Sequence, residues 1–231
     1  MKHINTQGIV LRRTDFGEAD RIITFLTPDQ GKVGGLARGV RKQKSKLAGG
    51  IELFSVSDIS YIVGRGEVST LTSTRLLKHY GNIVKNLDRT NAGYQIIKTL
   101  NKVTEENPEP AYFELLKNSF AALDDASIDL DLVQAWFVAQ ILKLAGHTPN
   151  LKTDIEGYAL QQGKQYDFNF DTMSFQASQA KTGAFGSDHI KFMRLIFSDN
   201  KPAALQKVQG CEKLATAVLP LLQSCLQVRA S

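Results

Sequence analysis

Cysteine is scarce in this chain: Cys211 and Cys225 are the only two in 231 residues, fourteen apart and with no Cys-x-x-Cys pair. Two thiols cannot staple a disulfide scaffold. They read as packing residues, and a reduced cytoplasmic setting is the simplest expectation. Histidine is as sparse: His3, His79, His147 and His189 stand apart, none with a second His or Cys three to five residues away, so no metal and no cofactor are expected. No apolar run approaches the roughly eighteen residues that cross a bilayer. The amino terminus lacks the long apolar centre of a secretory signal, because Gln7–Leu11 is soon followed by Arg12, Arg13, Asp15 and Glu18. The glycine-rich Gly31–Gly39 stretch lacks the Gly-Lys-Ser/Thr ending of a phosphate loop. Asp124, Asp125, Asp129 and Asp131 lack EF-hand spacing and read as helix caps. These absences argue against an enzyme and against a membrane protein.

What the chain does have is positive charge in one place. Hydrophobic residues at 42% and charged residues at 22% describe an ordinary globular protein of one or two domains. The net charge of +5 is unevenly spread. Residues 1–90 hold fifteen Lys and Arg against eight Asp and Glu, whereas the remainder holds thirteen against fifteen. The excess peaks in Ala37-Arg-Gly-Val-Arg-Lys-Gln-Lys-Ser-Lys-Leu-Ala-Gly-Gly50, which places Arg38, Arg41, Lys42, Lys44 and Lys46 within nine residues and has no acid. Arg12, Arg13, Arg21 and Lys32 lie in the same part of the chain. A solvated loop that keeps a sheet edge from pairing is one reading of such a run. A groove for a polyanion is the other.

Periodicity places the run on β structure. Ile9–Leu11, Arg21–Thr27 and Val56–Val63 are rich in β-branched and aromatic residues, and Glu67–Leu77 resumes after the turn Gly64-Arg-Gly66, so residues 56–77 form an expected hairpin. Five short strands in about eighty residues suit a small barrel, and an OB-like barrel is among the few of that size. Phe16, Phe25, Phe54 and Tyr61 are candidate stacking surfaces or core. From Tyr80 onward the period becomes helical. Helices are expected at 88–104, 112–123 and 129–145, separated by Pro108 and Pro110 and closed by Gly146, then at 190–197, 202–208 and 211–228, with Pro220 bending or splitting the last. Between them Tyr166–Phe175 alternates at period two and suggests a hairpin or an edge strand.

Several motifs follow one another in a specific order: Gly8-Ile-Val-Leu-Arg12, Gly17-Glu-Ala-Asp-Arg-Ile-Ile-Thr24, Thr27-Pro-Asp-Gln-Gly-Lys32, Ala37-Arg-Gly-Val-Arg41, Ser45-Lys-Leu-Ala-Gly49 and Gly64-Arg-Gly-Glu67. In order and spacing they resemble the RecO family of bacterial recombination mediators. The resemblance implies an α+β fold: a five-stranded OB-fold barrel, then an all-helical domain with a small zinc-ribbon-like insertion. The corresponding division is 1–79 for the DNA-binding barrel, 80–149 and 187–231 for the two parts of the helical domain, and 150–186 for the insertion. Relatives often carry four cysteines in that insertion. Here it has none, so it is expected to be degenerate, lacking zinc and held by Tyr166, Phe168, Phe170 and Phe175.

The resemblance also implies binding of single- and double-stranded DNA and annealing of complementary strands. It further implies pairing with RecR, capture of the carboxyl-terminal tail of single-strand binding protein, and indirect help to RecA. Arg38, Arg41 and Lys46 match family positions as DNA contacts, as do Arg21 and Lys32, although Arg21 beside Asp20 also suits a structural ion pair. A protein-interaction adaptor and an RNA-binding OB module remain alternatives. The expected place of work is the cytoplasm, with the nucleoid.

Overall fold

The computed structural model describes residues 2–64, 66, 68–104, 109–178 and 183–229. Arg65, Glu67 and Pro108, which the motif and helix readings use, lie outside them. The chain divides into two compact units, Met1–Asp125 and Ala126–Ser231.

The first unit is built on a closed barrel of five strands: β1 (His3–Phe16), β2 (Asp20–Thr27), β3 (Gly31–Ala37), β4 (Ser55–Ile62) and β5 (Val68–His79), in the order β1-β2-β3-β5-β4. All neighbours are antiparallel except β3 and β5, which run parallel from Gly34↔Val68 to Leu36↔Thr70. This is the Greek-key order of an OB fold. Closure depends on β1, which is long enough to serve two neighbours. Its first half pairs with β4 from His3↔Ile62 to Ile9↔Val56, and its second with β2 from Ile9↔Leu26 to Phe16↔Asp20. A bulge between Val10 and Arg12 turns the strand from one partner to the other.

Inside the barrel lie Val10, Ile23, Phe25, Ile59, Tyr61 and Leu71, capped by Val40 and Ile51 from the long β3–β4 connection. β3, with the sequence Gly-Lys-Val-Gly-Gly-Leu-Ala, is a strand with little side chain of its own. A Cβ at Gly35 would stand 3.5 Å from the Phe25 ring and 3.7 Å from Leu71, ordinary van der Waals contact, so this glycine backbone lies directly against the barrel core.

Helices α1 (Leu87–Val103) and α2 (Pro110–Asp124) complete this unit. The Asn86 side chain caps α1 by accepting from Arg89 N at 3.0 Å. Arg89 donates to the Leu123 and Asp125 carbonyls at 2.9 and 3.0 Å, closing the end of α2.

The second unit holds α3 (Leu130–Leu144), α4 (Ser187–Ile196), α5 (Pro202–Leu205) and α6 (Cys211–Arg229), with β6 (Asn150–Asp154), β7 (Tyr166–Asn169) and β8 (Ser174–Ala177). Asp129 caps α3, accepting from Leu132 N at 3.0 Å, and Gly146 at φ +74° ends the helix as its position suggests. Of the two outcomes expected at Pro220, bending or splitting, the split does not occur: α6 runs through it. Pro220 faces solvent, while Ala215, Val218, Leu222 and Cys225 are fully buried and keep the helix continuous across the missing N–H. The small sheet has the order β6-β8-β7, with β7 and β8 forming the expected hairpin. Its interior is a run of edge-to-face rings: Phe168 on Phe175 at 5.1 Å, Tyr166 on Phe175 at 6.3 Å and Phe175 on Phe185 at 5.9 Å. His189 is used here as a cap, its Nδ1 accepting from Gly186 N at 3.0 Å.

Candidate nucleic-acid interface

Register brings the cations together at one end of the barrel. β1 and β2 meet in a tight turn whose Gly17 takes φ +59°, placing Arg12, Arg13, Asp15 and Phe16 on one arm and Asp20 and Arg21 on the other. Arg21 lies opposite Ala37, the last residue of β3. The basic run therefore leaves the sheet directly beside the β1–β2 hairpin.

The run is not the free strap that its composition suggests. Gly39, at φ +61°, donates its N–H to Asp20 Oδ1 at 2.7 Å, and Arg41 N donates to the Ala19 carbonyl at 2.9 Å. Between them Val40 enters the barrel core. Turns then follow through Lys42 N to Gly39 O (3.1 Å) and Ser45 N to Lys42 O (3.0 Å). Leu47 packs on the core, and its carbonyl accepts from the Thr74 hydroxyl at 3.0 Å. Val40 and Leu47, with these hydrogen bonds, thus anchor the loop to the barrel. The side chains of Arg38, Arg41, Lys42, Lys44 and Lys46 remain exposed around it.

The other sequence candidates divide. Arg12 is exposed beside the β1 bulge. Arg13 pairs with Glu52 at 2.9 Å, 39 residues away in sequence. Arg21 pairs with Asp15 at 2.7 Å rather than with its sequence neighbour Asp20, and Arg41 stands 3.7 Å from the second Asp15 oxygen. The Arg21 hydrogen bond, reinforced by Arg41 and Arg13, holds the Asp15 carboxyl below its ordinary range. Lys32 lies apart. It sits at the opposite end of β3 from Ala37, about 17 Å away at strand rise, and donates to the Asn101 carbonyl of α1 at 3.1 Å.

Of the four aromatic candidates, Phe25, Phe54 and Tyr61 are buried in the first unit, at 3% exposure or less. Phe16 alone is open, 53% exposed at the hairpin tip. The carboxylates Asp15 and Glu52 escaped the sequence reading, because hairpin register brings Asp15 to Arg21 and the long β3–β4 connection brings Glu52 to Arg13.

A second feature lies on the other unit. A cavity of about 470 Å³ opens between α4 and α6, lined by the apolar Phe192, Leu195, Val208 and Leu214 and by the charged Asp188, Lys191 and Lys213. Lys191 is paired with Asp188 at 3.2 Å. Among the described residues, no group of three His, Cys, Asp or Glu side chains is placed to hold a metal ion, and no helix is long and apolar enough to cross a membrane.

Comparison with known proteins gives two family matches: Recombination protein O N terminal over residues 1–80 and Recombination protein O C terminal over residues 84–227. The chain is similar to the DNA repair protein RecO of Dehalococcoides mccartyi, at 34% identity over 148 residues, covering 64% of this chain and 58% of that protein. Its similarity to RecO of Desulfatibacillum aliphaticivorans is 33% over 154 residues, covering 65% and 60%. For RecO of Rhodopirellula baltica it is 34% over 144 residues, covering 62% and 53%. The chain thus spans between half and three fifths of the length of these relatives.

Proposed function

Since the chain belongs to the RecO family, we propose that it is a non-enzymatic mediator of DNA repair and recombination, which binds single and double strands and anneals complementary ones. The observation that carries this reading is the anchored loop of Arg38, Arg41, Lys42, Lys44 and Lys46. Five exposed cations with no acid among them stand beside an exposed phenyl ring at one end of an OB-like barrel. Arginines grip phosphates bidentately and lysines act as point charges. Contacts to phosphate carry no base information, so such binding is indifferent to sequence, as annealing of arbitrary strands demands. Cations bound to both strands also reduce the repulsion that keeps complementary strands apart.

The cavity between α4 and α6 supports a partner. An apolar floor between two lysines suits a short acidic peptide with apolar ends, the chemistry of a single-strand binding protein tail. RecR as a direct partner, RecA as an indirect one and a cytoplasmic location belong to the same proposal and have only the family likeness in their support. An adaptor role, in which the barrel docks an acidic protein, is the second reading. It draws on the fact that Arg13, Arg21 and Arg41 already face carboxylates.

Salt dependence separates the two. With three to five phosphates contacted, log K for an unstructured oligonucleotide falls against log salt with a slope of roughly −2 to −3.5. The variant with alanine at all five loop cations loses most of that affinity and slope. Weak DNA binding that ignores the five substitutions would favour the adaptor.

A further inference from the structure

We propose that Asp15 is a built-in stand-in for a phosphate, occupying the arginines of the interface until nucleic acid displaces it. The inference rests on the DNA-binding reading above and adds a residue that sets how tightly strands are held. Its basis is geometric. Asp15 Oδ1 accepts from Arg21 Nε at 2.7 Å, and Oδ2 stands 3.7 Å from an Arg41 guanidinium nitrogen. One anion thus offers one oxygen to each of two guanidinium groups, as a bridging phosphodiester would.

Three ties join the hairpin to the basic loop. The Asp20–Gly39 and Ala19–Arg41 bonds involve backbone N–H groups and fix the path of the chain. The Asp15–Arg41 contact joins two side chains, so a phosphate can replace it without moving the backbone. It is also accessible. The Asp15 side chain is 53% exposed and that of Arg41 39%, and ion pairs so open to water are weak and exchangeable. As an exposed carboxylate facing arginines, Asp15 is anionic at neutral pH, so the competitor is charged whenever strands bind. With Asp15 present, each incoming phosphate must break a contact to make one. The resulting grip is looser and quicker to release, a useful property where strands must be handed on.

The test compares the wild-type chain with Asp15→Asn, an uncharged near-isostere at a half-exposed position, using a fluorescein-labelled oligothymidine and matched circular dichroism as a check of fold. Glu18→Gln, exposed at the same turn, removes the same charge without touching these arginines' contacts. Asp15→Asn is expected to bind about three- to fivefold tighter, as befits two exposed ion pairs that need no longer be broken, and to do so through slower dissociation. Glu18→Gln is expected to stay within about twofold of wild type, the range of a screened surface charge. In an Arg21→Ala/Arg41→Ala background the gain from Asp15→Asn disappears. Equal affinity for Asp15→Asn and wild type, or an equal gain from Glu18→Gln, would overturn the inference while leaving the DNA-binding reading intact. Failure of both proteins to bind would overturn that reading and this inference with it.

Discussion

Phe16 and Phe54 are two phenyl rings of one unit put to opposite uses. Phe54 is buried in the left-handed region, at φ 56°, and its ring meets Tyr94 and Phe120 edge-on at 5.5 and 5.3 Å. Such a conformation in a bulky residue is held by its surroundings, and Gly93 is part of what holds it. A Cβ at Gly93 would stand 2.6 Å from the Phe54 ring. Gly93→Ala gains nearly 1 kcal/mol of helix propensity, but overpacking costs about 1–3 kcal/mol. The expected outcome is a net loss of stability, read as a lower urea midpoint at unchanged m-value. Phe16 has no such burden. With its ring open to solvent, Phe16→Ala leaves the urea midpoint unchanged and weakens single-strand binding by about 1 kcal/mol or more, the value of one stacked base. An unchanged affinity in fluorescence titration would assign Phe16 no stacking role. At this scale the sequence showed the cations plainly but hid their acidic partners. Arg13 and Glu52 are 39 residues apart, and Asp15 reaches Arg21 only through the hairpin register.

Among the elements, legibility followed side-chain content. β2, β4 and β5 announce themselves through β-branched and aromatic residues, and the longer helices, α1, α2, α3 and α6, through apolar periodicity. β3 is quieter, because three of its seven residues are glycines and carry no side-chain pattern. β1 is longer than its apolar run implies, since half of its length is justified only by the return of β4. The continuity of α6 through Pro220 depends on tertiary packing that no local rule reports. The small sheet was half legible. The β7–β8 hairpin follows from its period-two pattern, whereas β6 joins β8 in parallel through a register no local signal carries. The fully buried Phe175 touches three other rings there, in a segment that contains no cysteine. Phe175→Ala should therefore cost about 3–5 kcal/mol, while a chelator leaves the melting curve of the wild type unmoved. A melting temperature that falls in chelator would show that a metal, and not the ring cluster, holds this segment.

For the molecule as a whole, the decisive property is where charge is stationed. The first ninety residues carry the excess of Lys and Arg, and the remainder is slightly acidic, so a polyanion is drawn to the barrel unit from a distance. The fold then concentrates that attraction. Val40 and Leu47 anchor the basic loop, the hairpin supplies Phe16, and Asp15 tempers the arginines. The most direct test is the rate at which two complementary oligonucleotides anneal, with wild-type protein and with the five-alanine loop variant, across a salt series and with unrelated sequence pairs. The account predicts acceleration by the wild type that is independent of sequence, fades with salt and is lost in the variant. A variant that anneals strands as fast as the wild type would contradict it.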